Sequence, residues 1–181
     1  GACAAFDGNH TLCQTCDFLP LGKYRDLTVE FFMRTSSLNE GIALELSPNL
    51  NEINNRGGFC FALNQKYDVP VDETQGNMDA CFTVLRRSDA TRYNNDFMYG
   101  VSDGEWHHYA LVYDSEAFGD DMVRLYCDGV QKFGHAIGGR DFGFATRLLS
   151  ERLYIGSRNS QIVKLVGELD DIRITGRALP P

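Results

Sequence analysis

The sequence lacks helical periodicity. No segment longer than about ten residues repeats its apolar side chains at helical spacing, which excludes a helical bundle and folds built on crossover helices. It also lacks a long hydrophobic run. Nothing approaches the roughly twenty consecutive apolar residues that a membrane-spanning helix needs, so no membrane span is expected. Basic residues are in deficit: Lys and Arg number 17 against 25 Asp and Glu, for a net charge of -8. A phosphate backbone calls for a basic stripe, so nucleic acid is excluded as a partner. Neutral ligands, calcium or simple solubility all suit an acidic chain. Gly1 to Phe18 has neither the charged n-region nor the apolar h-region of a signal peptide, so an exported form would already have lost its signal.

What is present is a succession of short alternating segments. The stretch from Asp103 to Gly129 organises them: D-G-E-W-H-H-Y-A-L-V-Y-D, a polar loop, then V-R-L-Y-C-D-G. Asp103-Gly104 and Asp128-Gly129 tolerate positive φ and mark turns at strand ends. Between them Trp106, His108, Ala110 and Val112 share one face, and His107, Tyr109, Leu111 and Tyr113 the other. Both faces are largely apolar or aromatic, so a central strand covered on both sides is expected. Trp106, the single tryptophan, has the ring of a sugar-stacking residue, but on a central strand just after a turn it is expected in the core.

Leu27 to Arg34 alternates strictly, with Leu27, Val29, Phe31 and Met33 on the core side and Thr28, Glu30, Phe32 and Arg34 opposite. Gly41 to Ser47 repeats the pattern. Gly58 to Asn64 and Ala80 to Arg87 are expected as paired strands, Ser88 to Val101 as a polar and aromatic connection, and Leu153 to Ser157 and Gly167 to Thr175 as the last strands. Short strands separated by Gly, Asn and Asp turns imply an all-β, two-sheet antiparallel sandwich or jelly roll. With no repeat, linker or low-complexity tract, residues 1–181 are expected to form a single domain.

Six cysteines, Cys3, Cys13, Cys16, Cys60, Cys81 and Cys127, are candidates for structural disulfides in an exported domain. Cys13-Gln-Thr-Cys16 also has a zinc or redox spacing. Zinc needs two more Cys or His ligands, and adjacent strand residues such as His107 and His108 face opposite ways. A redox reading needs a βαβ context that is absent. The two histidines are expected to be strand residues, one satisfied inside and one near the surface; no Ser or Cys nucleophile sits in a turn that would make them part of a triad. Asn9-His10-Thr11 is a glycosylation sequon, meaningful in a eukaryotic source.

Taken in order, A-A-F-D-G, T-V-E-F-F-M-R-T, the Trp-His-His strand, V-R-L-Y-C-D-G, L-Y-I-G-S and G-E-L-D-D-I-R-I-T-G-R-A-L resemble the laminin G-like domains of the concanavalin A-like jelly-roll superfamily. The resemblance runs from about Ala4 to Leu179. It implies two antiparallel sheets packed face to face, one concave, with the N- and C-terminal strands adjacent. It also implies that Asp7 of the Phe-Asp-Gly turn and Asp170 hold a structural calcium, which takes six to eight oxygen ligands. The competing reading is that Asp7 builds its turn and Asp170 caps a strand edge. The cysteines, the insertion between Cys60 and Cys81, and Ser88 to Val101 depart from the family pattern, and loops on a rigid sandwich carry specificity.

Some jelly-roll relatives hydrolyse glycans with paired carboxylates on one strand. Glu168-Leu169-Asp170-Asp171-Ile172-Arg173 matches half of such a motif, but Ile172 and Arg173 stand where the second glutamate belongs. Arg173 is expected to pair with Asp171, and no enzyme is expected. Arg86, Arg92, Tyr93, Asn95 and Tyr99 supply the aromatic, amide and cationic groups of a sugar platform and are the expected ligand-binding residues. The expected function is a non-catalytic extracellular module that binds a glycan or an extracellular protein, or else an adhesive unit of an extracellular assembly. The ending Leu179-Pro180-Pro181 is what a module within a longer chain would show.

Overall fold

A computed structural model describes residues 2–9, 13–14, 26–37, 39, 41–47, 58–63, 80–85, 92–98, 102–117, 123–135, 152–157 and 164–180. Its strands are β1 (Ala4–Asp7), β2 (Cys13–Gln14), β3 (Leu27–Arg34), β4 (Gly41–Ser47), β5 (Gly58–Leu63) and β6 (Ala80–Leu85). They continue as β7 (Arg92–Met98), β8 (Trp106–Tyr113), β9 (Val123–Cys127), β10 (Val130–His135), β11 (Arg152–Ile155) and β12 (Val166–Thr175). Two antiparallel six-stranded sheets result, ordered β1-β12-β3-β8-β9-β10 and β2-β11-β4-β5-β6-β7. The architecture is the expected jelly-roll sandwich, with the first and last strands paired.

Strand β3 runs in unbroken register with β8, from Leu27 opposite Tyr113 to Arg34 opposite Trp106. That match lets every second side chain of both strands enter the space between the sheets. Phe31 and Tyr109 from the first sheet meet Phe61 from the second, with ring centroids 5.0 to 5.4 Å apart. All three are buried, and each Phe contributes roughly 1.5–3 kcal/mol by leaving water. Val29, Met33, Leu44, Leu63, Leu111, Leu125 and Leu169 complete the same cluster.

One turn follows directly from sequence, and one buried glycine sets a close approach. Asp128 and Gly129 both take positive φ, 52° and 74°, as the two-residue hairpin between β9 and β10 demands. Gly156 (φ 76°) is buried, and the Phe6 ring fills the space where a Cβ would stand. That contact seats β1 on the core.

The sequence reading needs correction at the second sheet's edges. Arg92–Met98, expected within a connection, is strand β7, paired to β6, and Cys13–Gln14 pairs with β11. An edge strand has one hydrogen-bonded neighbour and tolerates polar side chains, so its sequence need not alternate.

The outer surface of the first sheet divides in two. Toward one end Ala110, Val112 and Tyr126 are buried with Ala178 packed on them. Thr28 pins that covering segment, its Oγ1 donating to Arg177 O (2.8 Å) and accepting from Leu179 N (3.0 Å). Toward the other end the sheet carries Phe32, Arg34, Trp106 and His108.

Candidate functional site

The open half of this surface is built from cross-strand pairs. Because β3 and β8 are in register, their outward residues align as Arg34 with Trp106 and Phe32 with His108. The Arg34 guanidinium lies 5.2 Å from the Trp106 ring centroid, and the Phe32 and His108 rings are 4.9 Å apart. From β12, Glu168 stands opposite Arg34 and is ion-paired with it through Nε and Nη2. Glu30 lies 3.5 Å from His108 Nε2. Trp106 and Phe32 keep 37% and 38% of their surface in water. Trp106 is therefore not a core residue as its strand pattern implied: its position pairs with Arg34 at the sheet's end, beyond the segment that covers Ala110 and Val112. The surface offers two aromatic rings flanked by a fixed guanidinium and carboxylates, the groups that take up C–H-rich and hydroxyl-rich ligand faces.

On the opposite face of β8, His107 is held from both sides. Its Nδ1 is 2.7 Å from Asp128 Oδ2 and its Nε2 is 3.1 Å from both Asp103 oxygens. Asp128 reaches it from the β9–β10 turn while also accepting from His108 N at 2.9 Å. Asp103 reaches it from a turn closed by Glu105 N (2.9 Å) and by Gly104 N donating to Thr35 O (2.9 Å). The hydrogen bond to Asp128, then that to Asp103, raises the His107 pKa against the effect of its partial burial. The Glu105 amide and then His107 hold Asp103 below the usual carboxylate range. Burial pushes Asp128 upward, but His107 and the His108 amide outweigh it and the net shift is downward. Cys127, beside Asp128, is raised by burial and then by the Asp128 charge.

The expected site residues fall elsewhere. Arg92, Tyr93 and Asn95 lie on β7, at register positions opposite Leu85, Val84 and Thr83, on the sheet that does not carry Trp106. Arg86 and Tyr99 lie outside the described residues. Asp7 and Asp170 do sit on adjacent strands, but the register does not bring them together. Asp7 is opposite Val166, and Asp170 lies four positions along β12, about 13 Å at roughly 3.3 Å per residue. Asp7 Oδ1 accepts from Asn9 N (2.7 Å) and Asp170 Oδ1 from Asp171 N (2.8 Å), so each builds its own local backbone. Arg173 pairs with Asp171 at 2.5 Å as expected.

Cys3 and Cys127 are free thiols, one exposed and one buried, and are not bridged. Cys13 is on β2, and Cys16 lies outside the described residues. Cys60 and Cys81 occupy neighbouring strands two positions out of register, Cys60 opposite Thr83 and Cys81 opposite Ala62.

Phe32, Arg34, Trp106, His108 and Glu168 were not singled out from sequence as a binding surface. The available signal was an aromatic, Phe32, on the polar side of an alternating strand.

Two antiparallel six-stranded sheets packed face to face define a jelly-roll β-sandwich. The laminin G family described as the concanavalin A-like lectin/glucanases superfamily matches residues 7–181, and the chain belongs to it. No curated protein matches the sequence. Among solved structures, the fold is similar to a heptameric SAP-like pentraxin from Limulus polyphemus (TM-score 0.63, 17% identity), covering 97% of this chain and 76% of that one. It is also similar to the CBM40 of a Ruminococcus gnavus IT-sialidase (TM-score 0.63, 11% identity), covering 99% and 94% of the two chains. Domains LG4-5 of the mouse laminin alpha1 chain align over 96% of this chain and 41% of that one (TM-score 0.59, 18% identity).

Proposed function

We propose that this chain is a non-catalytic, extracellular recognition module that binds carbohydrate on the open half of its first sheet. The observation that carries the reading is the Trp106–Arg34–Glu168 arrangement: an exposed indole with a guanidinium fixed beside it by a carboxylate from a third strand. Phe32 and His108 extend it by a second aromatic pair. The similar CBM40 fold has been solved with α2,3- and α2,6-sialyllactose, which supports a glycan as the ligand class.

A binding role is favoured over hydrolysis by how the candidate carboxylates are used. Glu168 is occupied by Arg34, and Asp170 accepts from the backbone of its own bulge. A retaining glycosidase instead needs two carboxyl groups facing one bond, about 5–5.5 Å apart.

The test is a glycan array of the chain beside its Trp106→Ala and Arg34→Ala variants, with sialylated and neutral glycans. Defined binding that both substitutions abolish supports the reading. Binding unaffected by either moves the site to another surface. Silence across the array points to a protein partner for the same aromatic patch.

A further inference from the structure

Behind the aromatic surface, the inward side of the β8–β9 pair brings together three groups of different donor chemistry. His107 ring nitrogen, Cys127 Sγ and an Asp128 carboxylate oxygen all lie within 4.8 Å of one another. His107 Nδ1 is 2.7 Å, and Cys127 Sγ 3.8 Å, from the same Asp128 oxygen. The hairpin explains the convergence: Cys127 ends β9, and the left-handed Asp128 turns its carboxylate back across β8.

A second observation points into this cluster. Tyr109 is fully buried, pairs in register with Cys127, and its hydroxyl has no hydrogen-bond partner. Burial, and then the Cys127 thiol beside it, raises the tyrosine's pKa, and a neutral thiol is only a weak partner for that hydroxyl. A thiolate would be a far better acceptor for that O–H than a thiol, because charge-assisted bonds are shorter and stronger. A bound divalent cation would hold the sulfur as the thiolate.

We propose that His107 Nδ1, Cys127 Sγ and the Asp128 carboxylate are three ligands of a divalent transition-metal site, with Asp103 as the residue that orients His107. Mixed nitrogen, sulfur and oxygen donors suit zinc, which sits about 2.0–2.3 Å from such atoms and often keeps an open fourth position. With metal bound, Nε2 would donate to Asp103, 3.1 Å away, and leave the Nδ1 lone pair for the ion, the usual arrangement behind a metal-bound imidazole. Without metal, a proton holds Nδ1 and Asp128 together. The ion takes the place of that proton and of the thiol proton, both of which go to solvent. Asp128 keeps 52% of its side-chain surface in water, so the site can be entered from outside.

The experiment titrates the reduced, chelator-stripped protein with Co²⁺ and then with Zn²⁺. One Co²⁺ should bind per chain with a thiolate-to-cobalt charge-transfer absorption, and Zn²⁺ should displace it. Cys127→Ser should abolish that absorption, and His107→Gln should lower Zn²⁺ affinity at least tenfold. Asp103→Asn should lower it about 10–100-fold while the thiolate-to-cobalt absorption is retained at saturating Co²⁺. If Cys127→Ser fails to fold, the part-exposed His107 provides the decisive variant. Absence of the absorption, or its persistence in Cys127→Ser or at full affinity in His107→Gln, overturns the assignment.

Discussion

Arg34 stands beside Trp106, its guanidinium carbon 5.2 Å from the ring centroid, across the pairing of β3 with β8. A free arginine would sample many rotamers; Glu168, from β12 on the other side of β3, removes that freedom. The ring is exposed, yet its chemical surroundings are set. Such preorganisation lowers the entropy that ligand binding must overcome.

Trp106→Ala and Arg34→Ala are expected to change stability by no more than about 1 kcal/mol each, since exposed cation–π contacts and surface ion pairs are weak. Ligand affinity is expected to fall at least tenfold. Urea unfolding beside ligand titration separates the two effects, and a loss of stability matching the loss of affinity would show the pair to be a structural brace.

The metal-free protein should lose stability through His107 as pH rises. Because the folded-state pKa is raised above the ordinary value of 6.5, the contribution is complete below about 6.5 and disappears as pH climbs through the higher folded value. The lowered Asp103 and Asp128 act oppositely: their contribution is complete above 3.8 and is lost as acid protonates them below it. Melting curves from pH 5 to 9 should therefore slope more steeply downward for the wild type than for His107→Gln. Parallel slopes would rule out this pairing in solution.

Gly156→Ala should destabilise the fold by about 2–5 kcal/mol, combining left-handed backbone strain with overpacking. Its Cβ would stand 2.0 Å from Phe6 Cε1, and the ring cannot yield without lifting β1 from the core. Chemical denaturation measures the loss. A near-neutral result would mean that β1 docks loosely.

Brief alkylation of the native protein should label Cys3 and spare Cys127, whose thiol is buried and has a raised pKa. Unfolding without reductant should then expose Cys127. Mass analysis of the labelled peptides decides the outcome. A Cys127 that stays unlabelled after unfolding would be bridged, contrary to the structure.

Strand positions were legible wherever a strand buries one face. Leu27 to Arg34 alternates because its neighbours force every second side chain between the sheets, and the structure reproduces that span residue for residue. Asp128-Gly129 was legible because few residues accept two consecutive positive φ values. Arg92–Met98 was not, since an edge strand with one paired side satisfies its backbone without an apolar period.

Sequence by itself determined the all-β class, the alternating faces and the laminin G-like order of motifs, because each rests on local backbone and burial preferences. Tertiary structure alone decided which outward residues became neighbours. Trp106 lies 72 positions from Arg34, and Glu168 a further 62. No local preference relates them; register across three strands does. The same register separates Asp7 from Asp170, although their motifs suggested a shared ion. A one-residue slip in β3–β8 pairing would leave each side chain's chemistry unchanged and dismantle the surface, since alternate residues point to opposite faces.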